Sequence, residues 1–575
     1  MKERNNSLLP ITSWLSSYKK ELFQGDIFAG LTVGVMLIPQ GMAYALIAGL
    51  PPVYGLYAAI TPQVIYAILG TSRQLSVAPV AMDSLLVAAG VGLLATEGTE
   101  QYISLAILLA LLVGIIQILL GLFKLGFITN LLSKPVISGF TSAAALIIGL
   151  NQLKYVIGTD IEKSNQVYKI LFSAFQNLEN THVLTFSIAI GSITLIKLIK
   201  KLSPRIPGAL LAVTLGTLIV YVFNLSAKGV SIVQDIPEGL PVFMLPELEL
   251  ETISKLLPLA FTIAVIAFME AYSVAKAVEA KKKDHKVNAN QELLGIGAAN
   301  FIGSIFQSFP VTGGFSRTAV NYQSGANTPL ASLISASLVA ITLLFFTPLF
   351  YHLPHAVLGA IIIMAVSNLF DYRYARKLFH DSKVEFLILL TTFLITLNIG
   401  MITGIVTGII VSLLLFLYKA AYPHVARLGR IKGHREFRNI KRFSELDTWD
   451  TIAIIRVDAP LSFINIQEIR EYINQMIHNE TALEEIIIDA GPVSHLDTSA
   501  ADGFQELLTV LNEKNIRVVL CDVIGPVRDT MKQTGLTNII GEENLFLSIN
   551  EALDNALENR EDPFKKMTLQ SNVDT

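Results

Sequence analysis

From about Asp26 to Tyr418 the chain is a succession of apolar runs near 20 residues long, and nothing else in it restricts the fold as strongly. At about 1.5 Å per residue each run, as a helix, crosses a bilayer core of about 30 Å. Lipid offers backbone N–H and C=O groups no partners, so runs of this kind must be helical. After Arg427 charged residues become frequent and the apolar runs shorten to the length of strands and small helices. A membrane domain followed by a soluble one is expected. Composition agrees, with 52% of the 575 residues hydrophobic and 15% charged, far from soluble averages.

Fourteen spans can be placed: 26–48, 52–70, 75–95, 102–123, 134–155, 182–200 and 207–224, then 255–278, 292–308, 311–322, 329–347, 354–370, 385–399 and 402–419. The positive-inside rule tests the count. With the N-terminus and its Lys2, Arg4, Lys19 and Lys20 inside, several other cations fall inside too. They are Lys124, Lys134, the run Lys197, Lys200, Lys201 and Arg205, the cluster Lys281–Lys283 with Lys286, and Arg373, Arg376 and Lys377. The acid-rich stretch 238–251 falls outside. Fourteen spans also return Arg427, Arg430 and Lys432 to the inside, whereas thirteen would not. Two halves of seven, an odd number, must run in opposite senses, which is an inverted repeat (about 26–224 and 255–419).

Two of these spans break their own pattern. Segments 75–84 (LSVAPVAMDS) and 309–318 (FPVTGGFSRT) are short β-prone stretches with Pro or Gly that lead into helix-competent runs. They lie in the third and tenth spans, each the third member of its half. Broken backbone at membrane depth has to face protein or a watery cavity, and paired interruptions mark a transporter's central site. A helix beginning there aims unpaired N–H groups and a positive dipole end into the cavity. Two such ends suit an anion.

Polar residues inside the spans sharpen this reading. Pro39 leaves Gln40 in the membrane, with Tyr44 one turn on along the same face; a bond to a neighbouring helix and aromatic packing are their bland roles. Arg317 is a charge at membrane depth, costly unless paired or wet, and serves either an anion or an acid such as Asp83. Glu270 sits mid-span, where burial favours the neutral carboxyl and suits a proton carrier; a Na⁺ site with carbonyls and hydroxyls is the alternative. Asp83 opens the third half-helix, either as a dipole partner or in coupling. His355, Lys154 and Arg73 read as interfacial. No metal-ligand cluster or nucleophile–base pair appears, so an enzyme is not expected, nor a bound cofactor or a nucleic-acid partner.

The motifs PQGMAYA (39–45), PPVYGLY (51–57), GTSR (70–73), NQEL (290–293) and PVTGGFSR (310–317) closely resemble the SulP family of sulfate permeases over roughly 22–557. The resemblance implies a 7+7 membrane domain (26–424) divided into core and gate, a linker (425–448), a cytoplasmic α/β STAS domain (449–560) and a homodimer. It places the anion at Gln40 and Tyr44, at Ala78, Pro79 and Val80, and at Ser316 and Arg317, with Glu270 in the usual ion-coupling position. The sequence from Leu496 to Ala501 resembles the Asp-x-Ser-Gly turn of STAS domains. There Ser499 matches a phosphorylated serine of stand-alone relatives, but Ala500 replaces glycine, and a helix N-cap by Thr498 or Ser499 is the plainer role. A cytoplasmic regulator is a further implied partner.

The function expected is proton-coupled uptake of a small oxyanion, sulfate first, by an elevator-like motion in the cytoplasmic membrane, with both termini inside. Bicarbonate or dicarboxylate symport, sodium coupling and an uncoupled exchanger or channel stay open as alternatives. A nucleobase permease is disfavoured by the STAS domain and the first-helix motif. No signal peptide is expected in 1–20, 1–25 reads as a cytoplasmic segment, and 561–575 reads as a disordered tail. The single cysteine, Cys521, excludes a disulfide framework and reads as a buried spectator on a strand.

Overall fold

The apolar runs fold as helices, and the breaks fall where Pro and Gly interrupt them. The computed structural model describes residues 10–16, 18–127, 133–161, 164, 166–202, 208–282, 285–367 and 369–561. Lys2, Arg4, Arg205 and Lys283, used above to orient the spans, lie outside those residues, as does the tail from 562. The chain divides into two units, residues 1–412 and 413–575.

A short α1 (Ile11–Leu15) precedes the first half of the membrane unit. Its spans are α2 (Lys20–Ile47); α3 (Pro52–Tyr57) with α4 (Thr61–Leu69); strand β1 (Val77–Ala78) with α5 (Ala81–Val91); and α6 (Glu100–Leu122). The fifth is α7 (Lys134–Asn151) with α8 (Leu153–Ile157). An additional α9 (Val167–Gln176) comes before the sixth, α10 (Val183–Leu202), and the seventh, α11 (Gly208–Val222). The second half runs α12 (Leu250–Lys282), α13 (Ala289–Ile305), β2 (Thr312–Gly313) with α14 (Phe315–Gln323), α15 (Leu330–Phe345) and α16 (His355–Val366). An additional α17 (Tyr372–Asp381) follows, then α18 (Lys383–Asn398) and α19 (Met401–Ala421). Each half therefore inserts one extra helix between its fifth and sixth spans, a correspondence that hydropathy alone does not reveal. Helix α2 starts at Lys20, inside the stretch expected to be a cytoplasmic segment.

Two packing groups form. In one, α13 lies along α6 and α15 along α2; in the other, α18 lies along α7 and α10 along α16. These are the first four spans of each half against the last three, the core and gate divisions. Small residues permit the closest approaches: a Cβ on Gly55 would lie 1.9 Å from the carbonyl oxygen of Gly41, so α2 and α3 touch backbone to backbone.

The second unit is an α/β domain. Its sheet runs β4–β3–β6–β7–β8–β9, with β5 beside β3. Strands β3 (Val425–Ile431), β4 (Phe437–Asn439) and β5 (Leu446–Asp447) occupy the stretch expected to be a linker. That expectation is corrected: β3 pairs antiparallel with β6 (Ile452–Val457), matching Val425 to Val457 and Leu428 to Ile454. The cations at 427 and 430 masked an alternating strand. Strands β6, β7 (Glu485–Asp489), β8 (Arg517–Cys521) and β9 (Leu545–Phe546) are parallel. Helices α20 (Ile466–Asn479), α21 (Thr498–Glu513), α22 (Gly525–Gln533) and α23 (Leu536–Ile540) bury Ile473, Phe504, Met531 and Leu536 on one face of the sheet. Helix α24 (Ile549–Glu561) covers the other with Ala552 and Leu553.

The N-cap of α21 is neither Thr498 nor Ser499. Asp497 takes that place and accepts from the N–H of Ala500 at 2.8 Å and from that of Phe463 at 2.9 Å. A carboxylate is a stronger acceptor than a hydroxyl at a helix N-terminus, and Ser499 is left exposed in the first turn. Cys521 is buried on β8, where burial pushes its thiol pKa up.

Candidate functional site

The two interrupted spans meet. Strands β1 and β2 pair antiparallel, Val77 with Gly313 and Ala78 with Thr312, so α5 and α14 leave the same crossing. Glycine at 313 leaves room for Leu75: a Cβ there would lie 2.5 Å from Leu75 Cδ1, and the buried leucine would have to shift. Side chains of the second half fasten the crossing to backbone of the first. The N–H of Ser76 donates to Thr318 Oγ1 at 3.1 Å, and Asn321 Nδ2 donates to the Gln74 carbonyl at 2.9 Å. Among the described residues, neither α5 nor α14 has a side-chain N-cap. Their first N–H groups keep their anion-binding capacity.

Arg317 spans the crossing. Its guanidinium donates to the carbonyls of Pro79 at 2.7 Å and Ala78 at 3.0 Å, and the residue is 2% exposed. The sequence left an acid such as Asp83 as its structural partner; the partners seen are carbonyls. Nε of Arg317, Oε1 of Gln40 and Oε2 of Glu270 are buried without hydrogen-bond partners among the described residues. Such atoms hold capacity for another group.

A cavity of about 1010 Å³ opens beside the crossing. Gln40, Tyr44, Val80, Ser316, Arg317 and Glu270 line it, and it extends to Lys134, Lys200, Gly208 and Asp371. Ala78 and Pro79, expected at the anion, do not line it; their carbonyls hold Arg317 instead. Glu270 and Tyr44 lie within electrostatic range of Arg317, and Asp83 within range of Glu270. Asp83 is fully buried in the first turn of α5, with no hydrogen bond to either carboxylate oxygen among the described residues.

Several braces of the crossing carry no signal in the sequence. Glu292 of α13 accepts from Tyr66 Oη at 2.6 Å and, through its other oxygen, from the N–H groups of Thr71 and Ser72 and from Thr71 Oγ1. It thereby fixes the chain entering β1. Asp26 of α2 does the same for the chain leaving α14, accepting from the N–H groups of Asn327 and Thr328 and from Thr328 Oγ1. Asn300 bonds both backbone groups of Val311, just before β2, and also donates to Gln117 Oε1. Thr312 donates to the Ala267 carbonyl on α12, the helix that carries Glu270. These partners of Glu292 and Asp26 lie more than 200 residues away and leave no local pattern, although Glu292 lies inside one of the motifs quoted above.

Residues 23–392 match the sulfate permease family and residues 444–552 match the STAS domain. The chain is 37% identical to a sulfate transporter, 4.1, chloroplastic, of Arabidopsis thaliana, over 95% of this chain and 82% of that one. It is 34% identical to a probable sulfate transporter of Mycobacterium tuberculosis, over 93% and 96%. Among solved structures, the murine Solute Carrier 26 family member A9 anion transporter in its inward-facing state superposes with a TM-score of 0.88 at 26% identity, covering 97% and 96%. The transmembrane domain of the cyanobacterial bicarbonate transporter BicA shares the membrane fold, with a TM-score of 0.60 at 24% identity over 69% of this chain and 98% of that one. Family match, relatives and architecture coincide: this chain is a multi-pass membrane protein of the sulfate permease family, a family of transporters, with a C-terminal STAS domain.

Proposed function

We propose that the protein takes up sulfate or a closely similar oxyanion by proton symport across the cytoplasmic membrane, with both termini inside and two copies per assembly. The carrying observation is the crossing itself, which gathers two uncapped helix N-termini, Arg317, Ser316, Gln40 and Tyr44 around one cavity. Dipole ends and a guanidinium attract negative charge, while a tetrahedral oxyanion accepts from hydroxyl and amide donors on several sides. Glu270 is the coupling group. A proton on it offsets charge that an anion would otherwise carry across a low-dielectric slab.

The cavity reaches Lys134 and Lys200, the basic ends of α7 and α10, so the described state opens toward the cytoplasm under the positive-inside rule. It lies along the seam between the two packing groups, and sliding one group past the other would carry the crossing to the opposite face. That is the elevator-like cycle. No anion ligand in this scheme comes from the STAS domain, to which we assign assembly and the docking of a cytoplasmic regulator, with Ser499 as the exposed position for modification.

Radiolabelled sulfate uptake into proteoliposomes, with competing bicarbonate, dicarboxylates and chloride, tests this reading. Uptake driven by an inward proton gradient and blocked by excess unlabelled sulfate is expected. Uptake that follows only a sodium gradient, or equilibrates without accumulation, would replace proton coupling with the sodium or uncoupled alternative.

A further inference from the structure

Helix α17 takes no part in the anion site, yet its surface is unlike that of the spans around it. Asp371 caps it, accepting from the N–H of Tyr374 at 3.0 Å. Ser382, extended at φ −155° and ψ 99°, separates it from α18 by a single residue. The chain thus turns abruptly from α17 into a membrane span. At about 100° per residue, Leu378 points inward and is 5% exposed, whereas Tyr372 and Phe379, seven positions apart, share an outward edge at 60% and 55% exposure. Arg373, Arg376, Lys377 and His380 form an exposed arc beside that edge. Among the described residues no carboxylate pairs with Arg373, Arg376 or Lys377.

The aromatic edge fixes the depth of the helix. Phe379 packs edge-on against Phe386 in the first turns of α18, with ring centroids 5.2 Å apart, so it sits where a membrane span begins. An aromatic edge at that level with cations beside it has the build of an interfacial helix. The counterpart in the first half, α9, exposes Tyr168, Phe172 and Phe175 but carries a single cation, Lys169. Five spans precede α9 and twelve precede α17, so the two lie at opposite membrane faces. The cations are concentrated on the face that the positive-inside rule makes cytoplasmic, whose leaflet holds the anionic lipids.

We propose that α17 is a docking surface for anionic phospholipid headgroups, held by Arg373, Arg376 and Lys377, and that a lipid bound there steadies the cavity mouth. The connection to the mouth is short. Asp371 lines the cavity and donates its N–H to Ser142 Oγ of α7 at 3.3 Å. Lys134, also on the cavity wall, lies 4.5 Å above the ring of Tyr374.

The full-length protein and its R373Q/R376Q/K377Q variant would be compared by native mass spectrometry in detergent with added phosphatidylglycerol or phosphatidylcholine. Each cation near a headgroup is worth about fivefold in affinity. Wild type should retain several-fold more phosphatidylglycerol than phosphatidylcholine, and the variant should lose that preference, with glycerol phosphate failing to compete. Should the triple variant melt early, Arg376→Gln alone should still lower retention several-fold. Equal retention by wild type and the substituted protein, or full displacement by glycerol phosphate, overturns the proposal. Retention is read without any flux, so it stands or falls separately from the transport reading.

Discussion

Around the crossing, the first half supplies the carbonyls of Ala78 and Pro79 and the acid Asp83, while the second supplies Thr312, Ser316 and Arg317. The repeat places two half-helices in corresponding positions, yet their side chains carry opposite chemistry. Pairing acceptors from one half with donors from the other lets a buried guanidinium be held by backbone rather than by an acid. A carboxylate partner would have neutralised Arg317; carbonyls leave its positive charge to act on an anion. The repeat thus sets position, and divergence between its halves sets charge.

The largest expected effect falls on the donor arm. Arg317→Ala should reduce sulfate uptake by about 100-fold or more, since it removes a charged donor worth about 1.5–3 kcal/mol per hydrogen bond and unfastens two carbonyls of the other arm. Normal uptake by a folded variant would assign Arg317 to structure alone. Next is Glu270→Gln, which keeps size and polarity but releases no proton. It should exchange anion across the membrane yet lose accumulation under an inward pH gradient, and its flux should no longer respond to pH. Accumulation equal to wild type would move coupling to Asp83, on the acceptor arm.

The braces separate the arms further. Asn300→Ala frees both backbone groups of Val311 on the donor side, and Glu292→Gln weakens the clamp on Thr71 and Ser72 on the acceptor side. Each leaves buried groups under-satisfied at about 1–3 kcal/mol, which should appear as a lower melting temperature in detergent. Unchanged melting for either would show that the crossing holds without that brace. Removing the second unit should matter least to the site. Truncation after Tyr422, ahead of β3, should lower dimer yield or turnover and leave sulfate affinity within about twofold, a change under about 0.5 kcal/mol. Loss of binding in a stable truncated protein would contradict the division of labour.

Much of this was legible in the chain. The runs near 20 residues, the Pro and Gly breaks at 75–84 and 309–318 and the strand–helix alternation after Trp449 are local signals, and each corresponds to an element. The half-helices and Arg317 are readable because a charge or a turn at membrane depth is costly and so stands out. What escaped was either amphipathic or long-range. Helix α9 is too short and α17 too polar to register as spans, and β3 was hidden by its own cations. Asp26 and Glu292 look ordinary until the residues they bond, far along the chain, are brought to them.

If the crossing of the two arms is the anion site and coupling is a separate function of α12, the two can be separated by substitution. Equilibrium binding of labelled sulfate to purified wild type, Arg317→Ala and Glu270→Gln in one detergent tests it most directly. Glu270→Gln should bind sulfate about as well as wild type, while Arg317→Ala should bind at least about tenfold more weakly, a loss of about 1.4 kcal/mol or more. Wild-type affinity in Arg317→Ala would contradict it.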